Sequence, residues 1–577
     1  MGATIALLLV GIVLPAQAAA EGQRVVLAWV AHGTTVTELA DAGFSPGVMS
    51  AGLGTVPPEQ TYLDVGQGNR VFDSLYDTPL PERAGDRPRW WREVLERAES
   101  APAEIEPGLL RSTLAEAGVG ARFSEVRRAS LDRLPQTGYD LLIAIARPTG
   151  ESDEPLPIGI AGPGFAGNLT SDSTRIDGYV LSTDVAPTIL DRLGIEVPSQ
   201  MSGQPIRAEG AVDPAAIESL VDRMDVISSR RGPVIGLNVV VWLVGLALVA
   251  LLSRGRLARA AVRLAGLSVV YLPLVLLAGA ALEPGETAER LLVLFLAPLL
   301  AAATLLLLRG YRAPAVAAAV TVLAYVVDMV SGSPLTSLSL LGPNPGLGVR
   351  FYGIGNELEA VLAVLVVAGT GAALAGFARR ASARTCAAAF VATGLAAAFV
   401  FAAGRFGADV GAAIVFPVGA TVAAFTVAGR GKRTAALAVV AAPFVVLALL
   451  ALIDLLSGAN AHLTRSVLDA GGLGDLADVA QRRLQLSAHS FGRPVLLAFL
   501  PVVLALAVTA YVKRDSLRRW VGETAAMRAG LLGALAATVI GTLANDSGAL
   551  LLEIGTAYLL VFIGFAWAES SWAGADR

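Results

Sequence analysis

The stretch TDVAPTILDRLGI (183–195) can be read from chemistry alone. Asp184 stands before an apolar periodicity, where a carboxylate can accept backbone N–H bonds and start a helix. Pro187 falls in the first turn, where a missing N–H costs nothing. Val185, Ile189, Leu190 and Leu193 then share one face, and Gly194 is a natural left-handed stop. The segment predicts a short helix packed on a core, of the kind found in an α/β domain.

The flanking sequence agrees. RVVLAWVA (24–31) and YDLLIAIA (139–146) are short apolar runs bounded by turn residues, the pattern of buried parallel strands. PLPIGIAGPG (155–164) predicts a third strand ending in a Gly/Pro turn. WWREVLERAES (90–100) and PGLLRSTLAEAG (107–118) read as charged helices between them. Strand–helix alternation predicts a covered α/β sheet over residues 24–230.

The wording around the opening helix is more particular. STDVAPTILDRLGIEVPSQMSGQPI (182–206) resembles the closing segment of the alkaline phosphatase superfamily: a D-x-A-P-T-[IL]-L helix, then L-G-I, a proline and an M-x-G-x turn. VVLAWVAHGTT resembles that family's first strand, and TELADAGFSPG the helix after it. The resemblance covers residues 24–207 and is densest over 155–206. It implies an alkaline-phosphatase-like fold. It also implies two divalent metals held by Asp and His beside a Ser, Thr or Cys nucleophile.

This chain departs from that ligand set. Ala31 and His32 follow Val30 where an acidic ligand should end the first strand. Arg147-Pro148-Thr149-Gly150 stands where Asp-His-Gly is expected, and an arginine there would repel a divalent cation. His32 is the domain's only histidine, since the other two are His462 and His489. Thr55 and Thr61 lie near the expected nucleophile position. The expectation is a pseudoenzyme with no bound metal or cofactor, acting as a recognition module. A surviving carboxylate site, and with it an active phosphatase or phosphotransferase, is the alternative.

The rest of the chain is of another class. Hydrophobic residues make up 54% of the sequence and charged residues 16%, against about 25% charged in soluble proteins. A net charge of −4 gives no reason to expect a nucleic-acid partner. The single cysteine, Cys386, excludes a disulfide framework and a cysteine metal site. Residues 1–20 resemble a secretory signal peptide with an A-x-A site at Ala16-Gln17-Ala18; without a basic leading segment, an uncleaved anchor is the other reading. Residues 233–570 read as an all-α polytopic transmembrane domain of about 11 helices. With residue 230 placed outside, the inner loops hold 17 Lys/Arg and two acids, while the outer loops hold seven arginines and no lysine. That asymmetry sets the orientation: the α/β domain is extracytoplasmic and the C-terminus cytoplasmic.

The outer loops collect the polar residues. RFYGIGNELE (350–359) carries Arg350, Asn356, Glu357 and Glu359; AGRFGADVG (403–411) carries Arg405 and Asp409; farther on lie His462, Arg465, Arg482 and Asp546. Arginine suits bidentate phosphate contacts, so Arg350, Arg405, Arg465 and Arg482, with Asn356 and Asp546, are candidate binding residues. Glu357, Asp409 and His462 are candidate bases. Each has a plainer reading. Arginines at helix ends snorkel to lipid phosphates, Glu357 favours a helix dipole, and Asp546 suits a turn.

An extracytoplasmic domain of this kind followed by many helices is similar in order to glycolipid-anchor ethanolamine phosphate transferases. The outer loops are similar in layout to polyprenyl-linked glycan polymerases and ligases. The expectation is a multi-pass cell-membrane protein of the envelope. It would handle a phosphate-bearing lipid, such as a polyprenyl-phosphate-linked glycan, at the outer leaflet, with envelope proteins as further partners. A transporter or flippase of an envelope precursor and a non-catalytic scaffold are the other readings.

Overall fold

The computed structural model describes residues 24–570 apart from 83–86, 136, 253–254, 430, 458–493, 522–523 and 546. The predicted signal segment, His462, Arg465, Arg482 and Asp546 lie outside the described residues. Two compact units are present. One holds the described residues through Asp222 together with Gly346–Val349; the other holds Arg223–Pro345 and the residues from Arg350 onward.

The first unit is α/β. Its strands are β1 (Val25–Val30), β2 (Ser45–Ser50), β3 (Phe123–Val126), β4 (Leu141–Ala146), β5 (Leu156–Ala161), β6 (Asn168–Ser171), β7 (Tyr179–Leu181) and β8 (Ile206–Glu209). Its helices are α1 (Val36–Asp41), α2 (Pro58–Gln67), α3 (Arg87–Glu99), α4 (Leu109–Glu116) and α5 (Val185–Arg192), and α6 (Pro214–Arg230) carries the chain from this unit into the next. The sheet order is β3-β1-β4-β5-β2-β7, with β6 and β8 forming a separate antiparallel ribbon. β1 runs parallel to β3 and β4, whereas β5 is antiparallel to both β4 and β2, so the sheet is mixed. β4 is buried along its whole length, as its unbroken apolar sequence requires.

The opening helix forms as α5, with Val185, Ile189, Leu190 and Leu193 buried and Gly194 left-handed at φ 69°. Asp184 acts differently from the expected cap. It ends a short 3₁₀ turn, and its carboxylate accepts from Leu181 N (3.0 Å), Gln204 N (2.9 Å), Ser171 Oγ (2.7 Å) and Ser173 Oγ (2.5 Å). It pins the ribbon and the following loop rather than the helix amides. Gly203 is required there, because a Cβ would lie 2.0 Å from the Thr183 carbonyl oxygen.

TELADAGFSPG does not form one helix. α1 ends at Asp41, Gly43 turns the chain at φ 85°, and Ser45-Pro46-Gly47 opens β2. Proline and glycine suit the start of a strand that they would weaken from within.

The second unit is helical: α7 (Leu237–Leu252), α8 (Arg256–Leu282), α9 (Glu286–Leu307), α10 (Arg312–Val330), α11 (Pro334–Leu338), α12 (Asn356–Phe377), α13 (Ala383–Ala402), α14 (Ala412–Ala428), α15 (Lys432–Ser457), α16 (Pro494–Val512), α17 (Arg514–Val521), α18 (Ala525–Ala544) and α19 (Gly548–Ser570). Among the described residues, eight of these are long and apolar enough to cross a membrane: α8, α9, α10, α12, α13, α15, α18 and α19. α14 and the Pro501–Val512 part of α16 are shorter apolar helices. α12 is buried along most of its length. It approaches α18 through Gly371 and Gly530, where a Cβ on Gly371 would lie 3.1 Å from the Gly530 Cα. Small residues allow this close helix packing where no hydrophobic drive exists between helices.

Candidate functional sites

In the helical unit, two loops meet at the start of α12. Gly353 sits at φ 79°, and a Cβ there would lie 1.9 Å from the Gly407 carbonyl oxygen, so only glycine fits. Ile354 N donates to that same oxygen at 3.2 Å. This contact brings RFYGIGNE against AGRFGAD.

A polar network follows from it. Arg350 Nη2 lies 3.3 Å from Asp409 Oδ1, and its Nη1 donates to the Ile354 carbonyl. Asp409 Oδ2 accepts from Ala412 N (3.0 Å), which starts α14. Glu359, one turn into α12 and fully buried, accepts from Asn545 Nδ2 at 2.8 Å. Its second oxygen has no hydrogen-bond partner among the described residues. Gly411 makes room for this carboxylate, since a Cβ there would lie 2.5 Å from Glu359 Oε2. The Arg350 side chain keeps 34% of its exposure while Asp409 keeps 5%. A partly open guanidinium is therefore backed by buried carboxylates. That arrangement can hold an anion and fix the arginine's direction.

Of the candidates read from the sequence, Arg350 and Asp409 are brought together. Glu357 and Asn356 lie half-buried in the first turn of α12, and the buried acid of the network is Glu359 rather than Glu357. Arg405 is exposed and stacks over Phe406 at 5.0 Å. The sequence signal for Glu359 was present, an acid inside an apolar helix, but pairing with Asn545 depends on the contact of α12 with α18. Asp328, near the end of α10, accepts from Leu335 N (3.0 Å) and Thr336 N (2.8 Å), so it caps α11. No local sequence pattern signals that Glu289 is buried between Arg223 (2.9 Å) and Arg230 (3.0 Å).

The α/β unit carries a second site. A cleft of about 560 Å³ opens at the ends of β1 and β4, lined by His32, Thr61, Arg147, Thr149 and Glu154 among others. Thr149 Oγ1 lies 3.3 Å from His32 Nδ1, and Arg147 Nε donates to the Val30 carbonyl at 3.0 Å. Thr61 is 1% exposed and its hydroxyl has no hydrogen-bond partner among the described residues. Thr55 is exposed on the loop before α2. No group of three or more His, Cys, Asp or Glu able to hold a metal occurs among the described residues. The residues present at this cleft do not fit a two-metal centre.

Behind the cleft, α2 buries Asp64, which accepts from Gln60 Nε2 (2.7 Å) and Gln67 Nε2 (3.2 Å). Burial pushes its carboxyl up to about 7, against the pull of Arg70. Burial likewise pushes the Tyr179 hydroxyl up to about 12.

Compared with protein-family models, curated proteins and solved structures, the chain matches none.

Proposed function

We propose that the chain is a multi-pass envelope membrane protein that handles a phosphate-bearing lipid, polyprenyl- or glycan-linked, at the outer leaflet. The carrying observation is the network at the start of α12: Arg350 partly open, backed by Asp409, with Glu359 and Asn545 buried beside it. An arginine held by carboxylates is pre-aimed, so a lipid phosphate meets a guanidinium whose rotamer entropy is already lost. The excess of Lys/Arg in alternate loops favours placing this network, and the α/β domain, on the extracytoplasmic side, with about 11 spans and a cytoplasmic C-terminus.

In this reading the α/β domain is alkaline-phosphatase-like but lacks the ligand set for two metals, and it serves as a recognition module. Arg147 and Thr149 at the end of β4, with a single histidine, favour that reading.

A transporter or flippase is the second reading. Prolines interrupt α8 (Pro273), α9 (Pro298), α14 (Pro417), α15 (Pro443) and α16 (Pro501), which suits helices that bend around a pathway.

The test is binding of a short-chain polyprenyl phosphate to the purified full chain, measured against the same polyprenol without phosphate. The wild type should prefer the phosphate, and Arg350→Ala should lose that preference with protein yield unchanged. Equal binding of both lipids by the wild type, or an unchanged preference in Arg350→Ala, would contradict the reading. Flipping in reconstituted vesicles without selective lipid binding would favour the second reading.

A further inference from the structure

The cleft in the α/β unit raises a question separate from lipid handling: what could occupy it. Its volume, about 560 Å³, falls within the range of small-molecule sites, roughly 300–1,000 Å³. It lies at the carboxyl ends of the parallel strands β1 and β4, where the neighbouring β5 reverses direction. Ligands of open α/β sheets commonly bind outside the carboxyl ends of the strands.

The lining charges restrict the ligand. Arg147 stands at the end of β4, anchored through Nε to the Val30 carbonyl at 3.0 Å. Glu218 and Asp222, four residues apart on one face of α6, line the same cleft, and so does Glu154. Thr37 Oγ1 donates to Glu218 at 3.0 Å, which fixes that carboxylate in place. A simple anion would gain from Arg147 but face three carboxylates. A simple cation would gain from the acids but face Arg147. A ligand carrying both charges can meet a partner of opposite sign at each end. Between them, Val36, Val48 and Val56 offer apolar wall. The Thr61 hydroxyl, nearly fully buried and unpartnered among the described residues, is a hydrogen-bonding group still waiting for one.

We propose that this cleft binds a small zwitterion of amino-acid or dipeptide size, its carboxylate toward Arg147 and its ammonium toward Glu218 and Asp222. The inference does not depend on the lipid site, because every residue it uses belongs to the α/β unit.

The test is calorimetric titration of the purified full chain with alanylalanine, its N-acetylated form, its C-amide and inorganic phosphate. The free dipeptide should bind, and each of the other three probes should bind at least about tenfold more weakly, the size of one charge-assisted contact. Glu218→Gln combined with Asp222→Asn should abolish the preference for the free amine over the N-acetylated form, while Arg147→Ala should abolish the preference for the free carboxylate over the amide. The two acids are exposed, so their neutral replacements leave the fold intact. Binding of none of the probes, phosphate binding as tight as the dipeptide, or preferences unchanged in the variants would each overturn the proposal.

Discussion

Glu359 Oε2 accepts a 2.8 Å hydrogen bond from Asn545 Nδ2, joining the first turn of α12 to the end of α18 across 186 residues of chain. Both partners are buried. Removing one leaves a polar atom unsatisfied in a low-dielectric interior, at a cost of about 1–3 kcal/mol. Asn545→Ala should therefore lower the thermal midpoint of the detergent-purified protein. A midpoint equal to wild type would mean that this contact contributes nothing to the helical unit.

Gly411 faces the same carboxylate. A methyl group there would lie 2.5 Å from Glu359 Oε2, and the buried glutamate has little room to withdraw. Gly411→Ala should destabilise the protein, and Glu359→Ala in the same chain should recover part of that loss. Thermal melts of the two single variants and the double variant measure the coupling. Strict additivity would contradict the steric account.

Glu289 sits between two arginines, with Arg223 also donating to the Leu338 carbonyl and Arg230 to that of Pro284. Glu289→Ala would leave two guanidinium groups facing each other without their shared acid, costing on the order of 3–5 kcal/mol. Arg230→Ala should cost less, because that side chain keeps 17% of its exposure while the pair Arg223–Glu289 is nearly dry. Size-exclusion profiles of the solubilised variants should show aggregation for Glu289→Ala and a monodisperse peak for Arg230→Ala.

Asp64 gives a pH dependence of known sign. Its carboxyl is raised from 3.8 to about 7 by burial, so the folded state favours the protonated form. The associated stability is fully present below the unfolded value, about 4, and is lost as pH rises through about 7. Melting of the wild type should move to lower temperature between about pH 4 and 7, the window set by those two values. Asp64→Asn should flatten that slope. An identical slope in both proteins would show that Asp64 does not titrate there.

How much of this could be read from the sequence depends on the range of the interaction. β1, β4, β5 and α5 announce themselves through local periodicity, and Gly194 through its position after an apolar face. β2 does not, because SPGVMS has no apolar run and is buried by tertiary partners: it pairs with β5 and β7, and Gly47 packs against Leu169 of β6. Asp184 has the sequence context of a helix cap, yet its partners lie at the ends of β6 and β7, at Ser173 and in the loop at Gln204. The same limit applied at the membrane site. RFYGIGNE signalled close backbone approach through its glycines, but the choice of Glu359 over Glu357 was fixed by helix phase and by the α18 contact. The pairing of Glu289 with Arg223 and Arg230 lay beyond reach because the basic partners sit on α6, in a stretch of ordinary soluble composition.

The central claim is that the α/β domain and the loop bearing Arg405 share the extracytoplasmic face. It is tested most directly by labelling intact cells with a membrane-impermeant maleimide, in a background where Cys386 is replaced by serine. Thr55→Cys and Arg405→Cys, both at exposed positions, should label without lysis, and Arg519→Cys in α17 should label only after lysis. Protection of Thr55→Cys or of Arg405→Cys until lysis, or labelling of Arg519→Cys in intact cells, would contradict the account.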